Sequence, residues 1–491
     1  MIKKTISLIL TLVLALGLCA PVFAQSEQPA APAEYDGCPF VLVRGMEFGG
    51  LTYKAGTPEE QNCLGQISAG DIIKTIFKGI GAGIIHWNID YFTDTVVEYV
   101  TEIMGLMACD EKGNSKYDVS VNSYPLSVAN YPELKGLSDV NEEGIIKAAV
   151  DRYGAENVYY YRYDWRLDPY IHADGINALI NQALADSGKD KVNLVCCSMG
   201  GIETLSYIDK YGADKLNRVI FLSSTFCGTH VTTDVLRGMI EIDPYILYMY
   251  AKQNLASGNK ALGFLFDALY KSRIMGGLCN LVNNKLVPKL KDRAYSEFLK
   301  PVFGTMPSVW ALVLPEGYDE AIEYMFGGEE EKYADFIALT QEYQALAERR
   351  ESVLKGAEES GVSVCVIASY NCACIPVYTG GGGNGDNTLE SDRVLGCAKV
   401  APLGETLGDG YVPEDPARVS PDKVVDLSPA LFPETTWAIC GMPHVSCSYG
   451  TELSDFLFWA VDYNRKLTAD CDPEHPQFMI SSYDQDLKLW Q

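Results

Sequence analysis

The chain is short of three things. It holds five histidines in 491 residues. Imidazole is the commonest metal ligand, so a site needing several of them together is disfavoured. "NCAC" (Asn371–Cys374) is a Cys-x-Cys with no second ligand pair, so no metal and no cofactor is expected. It is short of positive charge: 39 Lys and Arg face 65 Asp and Glu, for a formal net charge of −26. That argues against nucleic acid as a partner and against electrostatic docking on anionic lipid. Beyond its first residues it lacks any apolar run long enough and charge-free enough to span a bilayer. The glycine run "TGGGGNGDN" (Thr379–Asn387) also lacks the Gly-Lys-Ser/Thr of a phosphate loop, and reads as a flexible loop.

What is present begins with an export pattern. Lys3 and Lys4 precede the apolar Ile6–Leu18, and Val22-Phe23-Ala24 offers small residues for cleavage. Residues 1–24 are expected to be a signal peptide and the protein to be secreted, with an uncleaved anchor as the alternative. A lipid anchor at Cys19 is disfavoured, because bulky Leu18 precedes it. Residues 25–37 read as a flexible Pro/Ala-rich leader. Fourteen of the fifteen cysteines follow the signal, an even number that permits disulfides in an exported chain. Their pairing does not follow from sequence, and buried free thiols fit equally well.

Apolar spacing then alternates in period. Phe40–Val43 is a short apolar run, as a buried strand requires. Residues 68–108 have helical spacing, either as core-facing helices or as an amphipathic lid. Residues 142–154 and 175–188 read as amphipathic helices, each stopped by Gly. Strands are expected within 157–166, over 192–196 and over 218–224. A helix running to Tyr211, with Gly212 at its end, falls between the last two. Such alternation predicts an α/β fold with a mostly parallel sheet covered by helices on both faces. From 232 to 360 the pattern is helical and strand-poor, which predicts a helical cap inserted before the sheet resumes at 362–370. Residues 38–231 and 361–465 would form the catalytic domain, and 466–491 a C-terminal tail. No internal repeat is visible.

"VNLVCCSMGGIE" (Val192–Glu203) presents three adjacent nucleophile types at a strand-to-helix turn. A sharp turn lifts one side chain clear of the sheet and sets it at a helix N-terminus, but crowds the residues two positions either side. With Cys197 at the tip, Met199 is too bulky. With Cys196 at the tip, Leu194 is. With Ser198 at the tip, Cys196 and Gly200 flank it, and both are small. Ser198 is the expected nucleophile, against the plainer reading of a structural serine. Of the histidines after it, His444 follows an apolar run that reads as the last strand, and is preferred as base over His230 and His475. Asp409, between two glycines in "GDG", is preferred as the orienting acid, with Asp415 in reserve. The oxyanion donors would be the N–H groups of Met199 and Met46.

Together these positions resemble the lecithin:cholesterol acyltransferase and lysosomal phospholipase family. "YDWR" (Tyr163–Arg166), "SMGG" (Ser198–Gly201), "GDGYVP" (Gly408–Pro413), "MPSVWALVLP" (Met306–Pro315) and "LVRG" (Leu42–Gly45) match its segments, in its order, over roughly 38–462. The resemblance implies an α/β-hydrolase fold with a helical cap. It implies Ser198, Asp409 and His444 as the triad, with Trp165 and Trp310 as substrate-binding residues. It also implies acyl transfer from a lipid ester to an alcohol or water, with transient membrane or micelle contact. Arg44 stands where the family has Pro, and Cys197 where it has His. Two further readings fit: a soluble carboxylesterase or peptidase on the same scaffold, and an exported binding protein without catalysis. Oligomeric state does not follow from the sequence.

Overall fold

The structure, a computed structural model, describes residues 37–63, 101, 104–135, 141–256, 258–482 and 484–490. The signal, nearly all of the leader and most of the 68–108 segment lie outside the described residues.

The first half builds a sheet from strand–helix units. In chain order these are β1 (Phe40–Val43), α1 (Asn141–Tyr153), β2 (Val158–Tyr161), α2 (Pro169–Ser187), β3 (Val192–Cys197), α3 (Gly200–Tyr211) and β4 (Leu216–Leu222). Among the described residues only helices lie between β4 and the next sheet strand. They are α4 (His230–Leu236), α5 (Pro244–Asn254), α6 (Lys260–Lys271), α7 (Ile274–Leu281), α8 (Val287–Arg293), α9 (Pro307–Trp310), α10 (Tyr318–Phe326) and α11 (Ala334–Glu359), with π-helical turns flanking α8 and a single 3-10 turn before α10. Then come β5 (Ser363–Tyr370), the short hairpin pair β6 (Cys372–Ala373) and β7 (Asn384–Gly385), β8 (Thr436–Cys440), α12 (Glu452–Asp462), β9 (Phe478–Ser481) and β10 (Leu487–Leu489).

Eight strands form one sheet in the order β10-β9-β8-β5-β4-β3-β1-β2. Every pairing is parallel except β9 with β10. The period-2 geometry of a strand sends successive side chains to opposite faces. Val41 and Val43 of β1, Leu194 and Cys196 of β3, and Val219 and Phe221 of β4 enter one core, under α2, α3 and α11. Phe40 and Leu42, Val195 and Cys197, and Ile220 and Leu222 enter the other, under α1 and α12. This is a three-layer α/β architecture. Each fully buried Val, Leu or Ile contributes roughly 1.5–3 kcal/mol, so both layers are needed to hold the central strands.

Three boundaries differ from the sequence reading. The second amphipathic helix starts at Pro169, not at 175. Asp168 caps it by accepting from Tyr170 N–H, and Pro169 fills its first position. α11 falls inside the stretch read as cap, yet it covers the sheet. It packs on α3 and β5, buries Leu346, Leu354 and Ala357, and its Arg349 bridges to Asp209 of α3 at 2.7 Å. Finally, β8 is not the last strand. Part of the segment read as a tail forms β9 and β10 at the sheet edge, where β9 pairs in register with Ala438–Cys440. Both strands are short, and polar residues flank them, so their apolar period is hard to read.

Candidate active site

Ser198 stands at the turn between β3 and α3 with φ of +49°, a left-handed conformation that a residue with a Cβ seldom adopts. The surroundings hold it there. Its N–H donates to Leu222 O at 3.2 Å, and its carbonyl accepts from Gly201 N at 3.1 Å and Thr225 N at 3.0 Å. Ser224 Oγ adds a third donor to that carbonyl at 3.0 Å. α3 follows at once, so Ser198 lies at the positive end of a helix. The end of β1 passes directly beside this turn. A Cβ on Gly200 would stand 2.7 Å from both Val43 O and Arg44 O, which is why the position takes no side chain.

The two cysteines before Ser198 point elsewhere. Cys196 goes into one core layer and Cys197 into the other, both at 0% exposure. Burial pushes the Cys196 thiol up to about 12, so it stays protonated and inert.

His444, in the loop after β8, brings Nε2 to 3.0 Å from Ser198 Oγ. Its Nδ1 lies 2.7 Å from Asp386 Oδ2. The acid on His444 is therefore Asp386, not Asp409. Asp386 is fully buried. Its Oδ1 accepts from Thr388 N at 3.0 Å and Leu389 N at 2.8 Å. Asp409 is exposed on a turn, and the reserve Asp415 caps a short helical turn through Ala417 N at 2.9 Å. A Gly-Asp-Gly turn projects a carboxylate, but here it projects it into solvent.

Asp386 lies in the glycine run read above as a flexible loop. The run is a built element. Gly381, Gly382 and Gly383 adopt φ of 64°, 63° and 68° in succession, and Asn384–Gly385 form β7 against β6. A Cβ on Gly385 would collide with Leu389 O and Cys374 Sγ. The signal that could have found Asp386 is its rank: it is the first acidic residue after the strand at 363–370.

The other described histidines are engaged elsewhere. His230 Nε2 pairs with Asp392 at 2.9 Å. His475 Nδ1 pairs with Asp472 at 2.9 Å, and its ring stacks on Trp459. His172 pairs with fully buried Glu203 at 2.9 Å. Among the described residues no group of three or more His, Cys, Asp or Glu is arranged to hold a metal ion.

Met199 follows Ser198 at the start of α3, and Met46 lies in the loop after β1 that abuts the turn. Among the described residues neither backbone N–H donates to another protein group. That loop is tied down at Glu47. Arg162 grips the carboxylate through Nε at 2.6 Å and Nη2 at 2.8 Å, and Arg44 reaches it at 3.3 Å. Arg44 thus serves as a brace, and it also bonds to Tyr160 Oη.

Neither tryptophan offers a face to a ligand. Trp165 is 1% exposed and Trp310 0%. Trp165 Nε1 donates to Glu47 O at 3.0 Å, so it positions the loop carrying Met46. Trp310 Nε1 donates to Gly304 O at 2.8 Å, and its ring stacks on Phe326 in the helical insertion. Both are packing residues. Arg166, which ends "YDWR", is likewise buried, bonded to Asp164 and Met107 O.

No family model and no curated protein matches the chain. Among solved structures it is similar to a chain of "The crystal structure of Tle4-Tli4 complex", at 11% identity and a TM-score of 0.30, over 74% of this chain and 90% of that one. A likeness so distant assigns no function.

Proposed function

We propose that the protein is an exported serine acyl hydrolase or O-acyltransferase of the α/β-hydrolase class, acting on lipid esters. The observation that carries this is the hydrogen-bonded line Ser198 Oγ–His444 Nε2, His444 Nδ1–Asp386 Oδ2, aimed from a strained strand-to-helix turn. Ser198 attacks the ester carbonyl while His444 takes its proton. Asp386 keeps the Nδ1 proton on the imidazole and stabilises the imidazolium. The Met199 and Met46 N–H groups receive the developing oxyanion. The alcohol leaves with the proton from His444, and an acyl-Ser198 ester remains. Water or a second alcohol, deprotonated by His444, then releases the acyl group.

Export rests on the pattern of residues 1–24. No described helix is long and apolar enough to cross a membrane. The lipid-ester part rests on the resemblance to the acyltransferase family and on an apolar surface in the insertion. There α6 and α7 leave Phe264 (75%), Leu265, Ile274 and Leu281 exposed, apolar side chains that a lipid surface could cover.

The test incubates the full chain with phospholipid vesicles and a long-chain alcohol, beside Ser198→Ala. Free fatty acid or alkyl ester should form with the wild type and fall at least ~10⁴-fold in the variant. Equal products from both would remove the reading. Hydrolysis of short soluble esters with no gain above a lipid's aggregation point would replace it with a soluble esterase. A fluorophosphonate that leaves Ser198 unlabelled in folded protein would replace it with a binding protein.

A further inference from the structure

Two sulfurs meet beside the candidate active site. Cys227 lies in the turn between β4 and α4, and Cys397 follows the acid-bearing loop after β7. They are 170 residues apart in sequence, yet their Sγ atoms stand 3.0 Å apart. That is closer than two sulfurs rest in ordinary contact, and within reach of a bond after a small side-chain adjustment. The backbone aims them. Cys397 has φ of +68°, and the chain next to it is fixed by Leu431 N donating to Gly396 O at 2.8 Å. Gly228, just after Cys227, donates to Thr225 O at 2.8 Å, which fixes the other side.

The two thiols are not equivalent. Cys227 is completely buried, whereas Cys397 is partly exposed. Arg350 Nη2 lies 3.7 Å from Cys397 Sγ, and Arg393 is also near. The neighbouring Cys227 thiol, then these two guanidinium groups, favour the thiolate at Cys397. Burial pushes the Cys227 thiol up. A partly exposed thiol flanked by a guanidinium group, beside a fully buried thiol, is the arrangement of an attacking and a resolving cysteine.

We infer that Cys227 and Cys397 form a thiol–disulfide site that takes a small-molecule disulfide as oxidant and closes into an intramolecular bond. The Cys397 thiolate attacks one sulfur of RSSR. An S–S bond forms to the protein and RS⁻ leaves. The Cys227 thiol then gives its proton to the RS⁻ already released and attacks Cys397 Sγ. The protein disulfide forms and a second RS⁻ leaves. Two protein thiols are oxidised and one RSSR is reduced to two thiols, so atoms and electrons balance. The closed bond would join the turn whose Thr225 N–H holds the Ser198 carbonyl to the segment after Asp386. This site stands whether or not the protein is an acyl hydrolase, because its readout is covalent and not enzymatic.

The experiment treats the folded full chain with glutathione disulfide at neutral pH, blocks free thiols with iodoacetamide, and maps peptides without reduction. The expected product is a peptide pair linked Cys227–Cys397 that dithiothreitol opens. In Cys227→Ser the reaction should stop one step earlier, with glutathione held on Cys397. In Cys397→Ser, Cys227 should gain no glutathione. A wild-type chain in which both cysteines remain alkylated overturns the inference, as does one in which Cys397 keeps glutathione without passing it to Cys227, or links to another cysteine. The wild-type map decides the matter even if a variant fails to fold.

Discussion

Replacing Asp386 by Asn separates the two candidate acids in one measurement. The carboxylate is fully buried, and its two oxygens have different work. Oδ1 accepts from the N–H groups of Thr388 and Leu389, while Oδ2 faces His444 Nδ1 at 2.7 Å. An asparagine must choose. Turning its NH₂ toward Thr388 and Leu389 would set donors against two backbone donors, one half-buried and one buried, at about 1–3 kcal/mol for a buried group left unsatisfied. The amide oxygen therefore stays on those N–H groups and the NH₂ faces His444. Nδ1 must then accept, which moves the imidazole proton to Nε2, 3.0 Å from Ser198 Oγ. In that tautomer His444 donates to the serine and no longer takes its proton. The loss expected is ~10⁴ in kcat, or about 5.4 kcal/mol of barrier. The assay is kcat and KM on an acyl ester for Asp386→Asn and Asp409→Asn, with thermal melts to show that both fold. Asp409→Asn should stay within about twofold of wild type, because its exposed side chain touches none of these groups. Activity within about tenfold of wild type in Asp386→Asn, or a ~10³-fold loss in Asp409→Asn, would refute the assignment.

Three other outcomes follow from the same geometry. Gly200→Ala places a methyl 2.7 Å from two backbone carbonyls that have no free side-chain end to move. Unfolding in urea should show about 1–3 kcal/mol of lost stability, and an unchanged midpoint would mean that the β1 end can retreat. Trp165→Phe removes the donor to Glu47 O and loosens the loop carrying Met46. Steady-state kinetics should show kcat down by about 10- to 100-fold with KM little changed. A raised KM at constant kcat would restore Trp165 as a substrate contact. Cys397 is held down to about 6, first by Cys227, then by Arg350 and Arg393, against burial and Asp392. Only the thiolate is alkylated. Its alkylation rate should therefore rise as pH climbs through about 6 and level off above, whereas an ordinary thiol would still be climbing at pH 8. A midpoint near the usual 9 would show that these neighbours do not favour the thiolate.

Much of the architecture was legible because it is set by local periodicity. Short apolar runs separated by amphipathic helices can bury their surface only as a covered parallel sheet, and the strands at 40–43, 192–197 and 363–370 lie where their residues place them. The turn at Ser198 was legible for a steric reason: a crowded tip admits Cys196 and Gly200 but not Leu194 or Met199. His444 was legible from its position just after an apolar run. These properties depend on neighbours along the chain.

The tertiary structure decided the partner of His444, the role of the tryptophans and the pairing of thiols. "GDG" and "NGDN" carry equally good turn chemistry, and nothing local says which carboxylate meets an imidazole. That choice depends on where β5 ends and how the glycine run folds back on β6, which carries Asp386 inward and leaves Asp409 in water. Trp165 and Trp310 carry the same large apolar ring whether it faces a ligand or a core, and only packing on Glu47 and Phe326 separates the two. Cys227 and Cys397 meet across 170 residues because separate loops converge at one end of the sheet. Sequence spacing sets which residues share a face of one element. Contact between elements is set by how the layers stack, which no short window of sequence contains.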